Sequence, residues 1–173
     1  MHALNFGGPD SKPERVIFAV DDDPDDRLMF GRLMAQPGLE YPIKFFATGC
    51  EMMDALLKVL RGAPAPLACF IDVRMAGMSG FDVLRWIRCQ DALDSVPVIM
   101  LSALGDPQKL NEAREVGAQA YVAKFPTASE LRNILTEARR YCADRSNPAA
   151  FHLPCNLLLS SPAPGETAHS SAA

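Results

Sequence analysis

Short apolar runs alternate with longer amphipathic segments along most of this chain. Each apolar run is bounded by turn formers, which is the pattern of a buried strand. The five predicted strands cover residues 16–20, 43–47, 67–73, 98–101 and 120–123. The segments that follow them place apolar residues three and four apart, which predicts helices over residues 24–36, 50–61, 80–90, 107–116 and 127–142. Strict alternation of strand and helix predicts an α/β fold, with a doubly wound parallel sheet covered by helices on both faces.

Helix start signals stand where the periodicity places the helix ends. Pro24 and Pro107 suit the first turn of a helix, where a missing N–H is not needed. Thr48 and Thr127 are candidate N-caps, because their hydroxyls can accept a hydrogen bond from a free backbone N–H of the first turn. These signals support the predicted helix bounds.

The chain divides into three parts by composition. Residues 1–13 carry several glycines and prolines, which predicts a flexible leader. All strand and helix patterns fall within residues 14–142, so we expect one folded domain there. Over residues 143–173 Pro, Ser and Ala dominate and charges are few, which predicts a disordered tail. An apolar island in that tail, residues 151–159, either docks on a partner, packs on its own domain or has no function.

Composition narrows the classes of function. The chain has 173 residues, of which 49% are hydrophobic and 22% charged, as in soluble globular proteins. Its formal net charge of -4 offers no basic surface, so we expect no binding to nucleic acid. The start of the chain lacks a secretion signal and no stretch approaches the length of a membrane span. We therefore expect a cytoplasmic protein without membrane contact.

The five cysteines are odd in number and form no C-x-x-C pair. This pattern favours free thiols in a reducing compartment over a zinc site or a disulfide framework. Cys50, Cys69 and Cys89 lie within apolar runs, so we predict that they are buried like small hydrophobic residues.

Polar residues stand at the carboxyl ends of the predicted strands, where doubly wound sheets bind ligands. They are Asp21, Asp22 and Asp23 after the first strand, Asp72 in the third, Ser102 after the fourth and Lys124 after the fifth. Carboxylates gathered at one edge repel each other unless a hard cation such as Mg²⁺ lies between them. A carboxylate can also attack a phosphoryl group and form an acyl phosphate, with Mg²⁺, Lys124 and Ser102 offsetting the charge that develops.

Each of these residues alone also has an ordinary explanation. The three consecutive aspartates suit a helix N-terminus, Ser102 suits an N-cap, and Lys124 suits a solvated surface. Their joint placement on the correct strands favours the phosphoryl chemistry.

Four segments of the chain resemble the signatures of bacterial response-regulator receiver domains, the CheY-like family. They are VDDDP at 20–24, FIDVRMAGMSG at 70–80, VIMLSA at 98–103 and YVAK at 121–124. The resemblance covers residues 14–142. It implies a flavodoxin-like three-layer sandwich whose five-stranded parallel sheet has the order 2-1-3-4-5.

The resemblance also implies a role for each site residue. Asp72 is the expected phospho-acceptor, and Ser102 and Lys124 are expected to bind the phosphoryl oxygens. The expected Mg²⁺ ligands are Asp21, Asp22, Asp72 and the main-chain carbonyl of Arg74. Ser102 and Tyr121 are expected to act as the switch that reshapes the face formed by the fourth helix, fifth strand and fifth helix.

Two positions depart from the family pattern. Ala76 stands where the family commonly has Pro, which changes the stiffness of the loop but removes no ligand. Phe125 separates Lys124 from Pro126, where the family has a Lys-Pro pair joined by a cis bond. A cis bond before a residue other than Pro is less stable than trans by about 2.5–4 kcal/mol, so the usual loop geometry does not follow from the sequence.

The function expected from the resemblance is that of a stand-alone response regulator in a two-component phosphorelay. A histidine kinase would phosphorylate Asp72, and the signal would pass by contact with another protein or by transfer to a histidine phosphotransfer protein. Such a receiver is not an enzyme with a separate substrate, because it catalyses only its own phosphorylation and dephosphorylation. The sequence leaves open whether the chain forms a homodimer.

Two other classes of function compete with this one. A small Mg²⁺-dependent phosphatase of the haloacid-dehalogenase kind also uses an Asp nucleophile, but on the first strand, which would leave Asp72 unexplained. A receiver-like adaptor would signal without phosphorylation, and the intact set of Asp, Ser and Lys argues against it.

Overall fold

A computed structural model describes residues 15–39, 41–103 and 107–143 of the chain. Its strands are β1 (Ile17–Val20), β2 (Ile43–Phe46), β3 (Cys69–Asp72), β4 (Val98–Ser102) and β5 (Ala120–Ala123). Its helices are α1 (Pro24–Met34), α2 (Gly49–Leu60), α3 (Gly80–Arg88), α4 (Pro107–Val116) and α5 (Ala128–Ala143). Every predicted strand and helix is present, with ends that differ from the prediction by a residue or two.

The five strands form one sheet in the order β2-β1-β3-β4-β5, and all neighbouring strands are parallel. The chain first moves from β1 outward to β2 and then crosses back to β3, so the direction of winding reverses beside β1 and β3. Ligands bind at such a reversal point, outside the carboxyl ends of the strands. The predicted doubly wound, flavodoxin-like fold is confirmed.

Helices cover both faces of the sheet and enclose two separate apolar cores. Right-handed crossovers place α1 on one face, with α5 beside it, and α2, α3 and α4 on the other. The α1/α5 core includes Phe30, Met34, Phe70, Leu131 and Ile134, all buried. The opposite core includes Met52, Leu56, Ile71, Leu84 and Met100. Successive strand residues alternate between the two cores, which completes the three-layer sandwich.

Side-chain caps fix the start of four helices. The predicted caps are confirmed, because Thr48 accepts a hydrogen bond from the Glu51 N–H at 3.2 Å and Thr127 accepts one from the Glu130 N–H at 3.2 Å. Ser79 and Asp82 form a capping box at the start of α3. Asp23 caps α1, so the ordinary helix-terminal explanation holds for this aspartate.

The burial predicted for the cysteines is right at one position and wrong at two. Cys69 lies fully buried in β3, whereas Cys50 and Cys89 are exposed. Cys50 is the second residue of α2 and lies off the stripe of that helix that packs on the sheet. Cys89 follows the last residue of α3 and leaves the packed face as the helix ends. Apolar neighbours in the sequence therefore did not show whether a residue lies on the buried or the exposed side of a helix.

Within the three described ranges, no helix combines the length and the apolar character that a membrane crossing needs. The predicted leader at 1–13 lies outside the described residues, and so does the predicted tail at 143–173 with its apolar island, except for Ala143, which is the last residue of α5. The proposed three-part division of the chain stays a prediction.

Candidate functional site

Two carboxylates and one ammonium meet at the carboxyl edge of the sheet. Asp21 follows β1, Asp72 ends β3 and Lys124 follows β5. Val20 and Ile71 point into the core under α2, α3 and α4. Because successive side chains of an extended chain alternate, Asp21 and Asp72 turn toward the α1/α5 side. As whole residues, Asp21 and Asp72 are only 7% and 4% exposed. The alternation of the strands thus brings charged groups from three elements into one buried place.

Lys124 is the centre of this cluster. Its Nζ lies 2.7 Å from Asp21 Oδ2, 3.0 Å from Asp72 Oδ1 and 2.8 Å from Asp26 Oδ2 on α1. An ammonium has three N–H donors, so these three carboxylates can engage all of them. Asp21 and Asp72 were predicted to lie at the same edge of the sheet as Lys124, whereas Asp26 was not among the predicted site residues.

Burial and neighbouring charges shift the pKa values of Asp21, Asp72 and Lys124. Burial raises the pKa of Asp21 and that of Asp72, although the hydrogen bonds and charge of Lys124 pull both pKa values down. Burial alone would lower the pKa of Lys124, but its carboxylate partners outweigh burial and raise that pKa well above its ordinary value. Lys124 therefore keeps its positive charge at neutral pH, in a site where negative charge is crowded.

Three of the acidic side chains form a candidate metal centre. Asp21, Asp22 and Asp72 each offer a carboxylate oxygen, and these oxygens all lie within 4.8 Å of one another. Oxygen-only donors suit a hard divalent cation such as Mg²⁺ better than zinc, which favours nitrogen and sulfur. The residues present therefore fit Mg²⁺, the cation predicted from the sequence.

Hydrogen bonds from the backbone hold the acidic side chains in place. Asp22 Oδ2 accepts a hydrogen bond from the Ala76 N–H at 2.7 Å, and Asp21 Oδ1 accepts one from the Asp23 N–H at 3.0 Å. The Asp72 carboxylate accepts a hydrogen bond from the Arg74 N–H, which lowers its pKa in part. The metal-binding role of the Arg74 carbonyl stays a prediction.

The loop after Asp72 owes its path to two glycines. Gly77 has a φ of 78°, a left-handed conformation that other residues rarely adopt. Gly80 starts α3 so close to β3 that a Cβ there would overlap the Asp72 carbonyl oxygen. The glycines of the 70–80 segment thus let the loop return tightly past Asp72.

Ser102 and Tyr121 lie on the other side of the site. Ser102 ends β4 and is 7% exposed, and Tyr121 in β5 is 4% exposed. Tyr121 pairs with Met100 in register, and both belong to the core under α2, α3 and α4. Alternation along β4 directs Ser102 to the same side as Met100. The two predicted switch residues therefore share the face of the sheet on which α4 packs.

The loop after β5 brings Lys124 back to the sheet edge. The Lys124 N–H donates to the Ser102 carbonyl at 2.7 Å, and the Lys124–Phe125 peptide bond is cis. This geometry did not follow from the sequence. The extra Phe125 does not prevent Lys124 from reaching Asp72.

Two residues of α1 were missed from the sequence. Asp26 contacts Lys124, and Arg27 donates from Nη1 to the Asp21 carbonyl at 2.6 Å. The signal was present in the predicted topology, because an order of 2-1-3-4-5 with right-handed crossovers puts the helices after β1 and β5 side by side. Acidic residues in the first turn of α1 then stand near Lys124.

Comparison with known families agrees with this geometry. The profile of the response regulator receiver domain matches residues 17–136, which is most of the chain. The chain belongs to the response regulator receiver family. A receiver fold accounts for Asp72 on β3 as well as for the aspartates after β1, so the haloacid-dehalogenase hypothesis has no support from the comparisons.

Curated relatives and solved structures give the same answer. The chain is 31% identical over 117 residues to the transcriptional regulatory protein GltR of Pseudomonas aeruginosa, across 68% of this chain and 46% of that protein. It is 27% identical over 123 residues to the two-component response regulator ORR3 of Oryza sativa, across 71% of this chain and 89% of that protein. The structure of the chemotaxis protein CheY4 of Vibrio cholerae matches with a TM-score of 0.59 and 27% identity, across 72% of this chain and 98% of that one. The chain spans less than half the length of GltR, so the similarity concerns the receiver domain.

Proposed function

We propose that this receiver accepts a phosphoryl group from a histidine kinase on Asp72, with Mg²⁺ held by Asp21, Asp22 and Asp72. The observation that carries the proposal is the contact of the buried Asp72 carboxylate with the Lys124 ammonium at 3.0 Å, beside the acidic cluster. A lone buried carboxylate would be protonated or paired with one cation only. A nucleophile with a fixed ammonium and two further carboxylates for a cation is instead equipped for phosphoryl transfer.

The transfer itself needs little covalent chemistry from the protein. A carboxylate oxygen of Asp72 attacks phosphorus, and the bond between phosphorus and the imidazole nitrogen of the kinase breaks. The imidazole nitrogen keeps the electron pair, and the product is an acyl phosphate on Asp72. Mg²⁺, when bound, would supply positive charge that offsets the negative charge of the phosphoryl group.

Lys124 and Ser102 act on the phosphoryl oxygens in this proposal. Lys124 already lies against Asp72 and stays protonated at neutral pH, because its carboxylate partners raise its pKa. Ser102 ends the strand next to β3 and lies one residue beyond the Asp72–Leu101 pair. A hydroxyl at that place can donate to a phosphoryl oxygen and, by moving, report its presence to Tyr121 on the same face.

Exposed apolar side chains stand within a few residues of Asp26 and Lys124 in the chain and suit contact with the phosphodonor. Leu28 and Met29 on α1 are 53% and 48% exposed, and Phe125 beside Lys124 is 39% exposed. Because Asp26 and Lys124 form an ion pair, α1 and the loop that carries Phe125 lie close together at the site. A phosphohistidine must come within bonding distance of a nearly buried Asp72, so the helix that carries it must pack against the rim of the site. We infer that the kinase covers Leu28, Met29 and Phe125.

The response passes on through the receiver's own surface in this proposal. The predicted switch residues Ser102 and Tyr121 share the face of the sheet on which α4 packs, so a change there would alter the α4–β5–α5 face. Another protein, a histidine phosphotransfer protein or a second copy of the chain would read that face. A receiver works where its kinase is phosphorylated, and we expect that compartment to be the cytoplasm.

Phosphorylation by a small donor tests the proposal. The purified chain is incubated with Mg²⁺ and acetyl phosphate, and intact mass spectrometry counts the phosphoryl groups. We expect the wild type to gain one group and Asp72→Asn to gain none, since an amide is no nucleophile. Asp54→Asn removes an exposed carboxylate on α2 and is the matched control. Equal labelling of Asp72→Asn, or steady turnover of p-nitrophenyl phosphate by the wild type, would contradict the proposal.

A further inference from the structure

Lys124 binds a third carboxylate that differs from the other two. Asp26 lies in the first turn of α1, and its side chain is 29% exposed, against 10% for Asp21 and 5% for Asp72. The acidic cluster that suits a cation consists of Asp21, Asp22 and Asp72, so Asp26 lies outside it. The contact of Asp26 with Lys124 therefore needs an explanation of its own.

The ammonium of Lys124 has no donor to spare for a phosphoryl group. It has three N–H bonds, and three carboxylate oxygens lie 2.7–3.0 Å from its nitrogen. A phosphoryl group on Asp72 would bring new oxygens with negative charge to the same place. One of the present partners must then give up its hydrogen bond.

Asp26 is the partner that can leave most easily. Asp21 is nearly buried and would keep a charge without its counter-ion if it lost Lys124. Asp72 carries the phosphoryl group itself. Asp26 is partly exposed, so water can hydrate its carboxylate when the lysine turns away.

We propose that Asp26 competes with the phosphoryl group for Lys124, and that this competition restrains phosphorylation of Asp72. The inference rests on the proposed function and deepens it. Asp26 acts through Lys124, so it is a positioning residue rather than a catalytic one. Its negative charge also repels the incoming phosphoryl group, and the two effects have the same sign. The same exchange frees α1 from the β5–α5 loop once Asp72 is phosphorylated.

The chain offers a matched control for this charge. Asp25 stands beside Asp26 in the first turn of α1, is exposed and lies outside the three ion pairs of Lys124. Asp25→Asn and Asp26→Asn remove the same charge from the same end of one helix. Any loss of favourable interaction with the helix dipole is therefore shared by both variants. Asp26→Glu keeps the charge and tests for rescue.

Two measurements on the full chain separate the outcomes. The first is the rate of phosphorylation by acetyl phosphate at saturating Mg²⁺, followed by intact mass. The second is the affinity for beryllium fluoride, a phosphoryl mimic, followed by fluorine NMR. We expect Asp26→Asn to be about two- to fivefold faster and to bind the mimic more tightly by the same factor, the effect of one part-exposed ion pair. Asp25→Asn and Asp26→Glu should stay near the wild type.

The sign of the effect distinguishes competition from structural damage. A loosened site would lose rate and affinity together, whereas removal of a competitor increases both. If the wild type is phosphorylated and Asp26→Asn is no faster than Asp25→Asn, the competition by Asp26 is refuted while the proposed function stands. If neither the wild type nor Asp26→Asn is phosphorylated on Asp72, the proposed function itself fails.

Discussion

Replacing Lys124 by Met removes the ammonium but keeps a side chain of similar length. The change leaves Asp21, Asp26 and Asp72 facing one another without the cation that lies within 3.0 Å of each. Lys124 itself is only 9% exposed, so water cannot fully replace it. We therefore expect the free energy of unfolding to fall in buffer without divalent cations.

The size of the loss follows from how buried each partner is. Removing one member of a buried charge network typically lowers stability by about 3–5 kcal/mol. Asp26 is partly exposed and contributes little of this, and the buried carboxyls can relieve the repulsion by taking up a proton. A loss of about 3 kcal/mol at neutral pH is the expected value.

The pH dependence of this loss is the distinctive part of the prediction. Burial already raises the pKa of Asp21 and Asp72 above the ordinary 3.8, and loss of Lys124 raises both further. A carboxyl whose folded pKa is raised contributes stability that is present below 3.8 and is lost as the pH rises through the folded pKa. The variant should therefore recover toward the wild type as the pH falls from neutral toward 3.8.

Urea unfolding followed by circular dichroism measures the difference. Wild type, Lys124→Met and the control Lys58→Met, an exposed lysine on α2, are compared at neutral pH and at about pH 5. Added Mg²⁺ should reduce the deficit of Lys124→Met, since a cation again neutralises the carboxylates. A variant as stable as the wild type at neutral pH, or a deficit that does not change with pH, would refute the electrostatic reasoning.

Three further predictions concern the loop after Asp72 and the Asp72 carboxyl itself. Ala76→Pro removes the N–H that holds Asp22, so we expect calorimetry to show Mg²⁺ binding weakened about tenfold, while Ala76→Gly, which keeps the N–H, binds as the wild type does. Gly80→Ala would force the Asp72 carbonyl away from α3, so we expect urea unfolding to show a loss of about 1–3 kcal/mol and intact mass to show slower phosphorylation. In buffer without divalent cations, the Asp72 carboxyl should take up its proton at a pH above 3.8, because burial raises its pKa; carbon NMR of isotope-labelled aspartate that shows titration of Asp72 at or below 3.8 would contradict this.

The fold could be predicted because its signals are local and repeated. Each strand is a short apolar run and each helix has a periodic apolar stripe. Strict alternation of strands and helices then predicts a doubly wound parallel sheet. The site followed from the same logic, since Asp21, Asp72 and Lys124 each stand at the carboxyl end of a strand and the structure places them together. Charged residues at such ends are informative because the topology, and not their spacing in the chain, brings them into contact.

The parts that escaped prediction depend on how elements pack against each other. Asp26 belongs to the site only because α1 passes beside the loop after β5, which no local pattern shows. The exposure of Cys50 and Cys89 depends on which side of a helix meets the sheet. From the sequence, Ala76 was expected only to change the stiffness of its loop. In the structure its N–H donates a hydrogen bond to Asp22 at 2.7 Å.

The most direct test of the proposed function is to locate the phosphoryl group. The chain is phosphorylated with acetyl phosphate and Mg²⁺ and then reduced with borohydride, which converts an aspartyl phosphate to homoserine and leaves free carboxylates unchanged. Peptide mass spectrometry then identifies the altered residue. We expect homoserine at position 72 in the wild type and no conversion in Asp72→Asn. Homoserine at Asp21 or Asp22, or a phosphoryl group retained on a serine or histidine, would contradict the assignment of Asp72 as the acceptor.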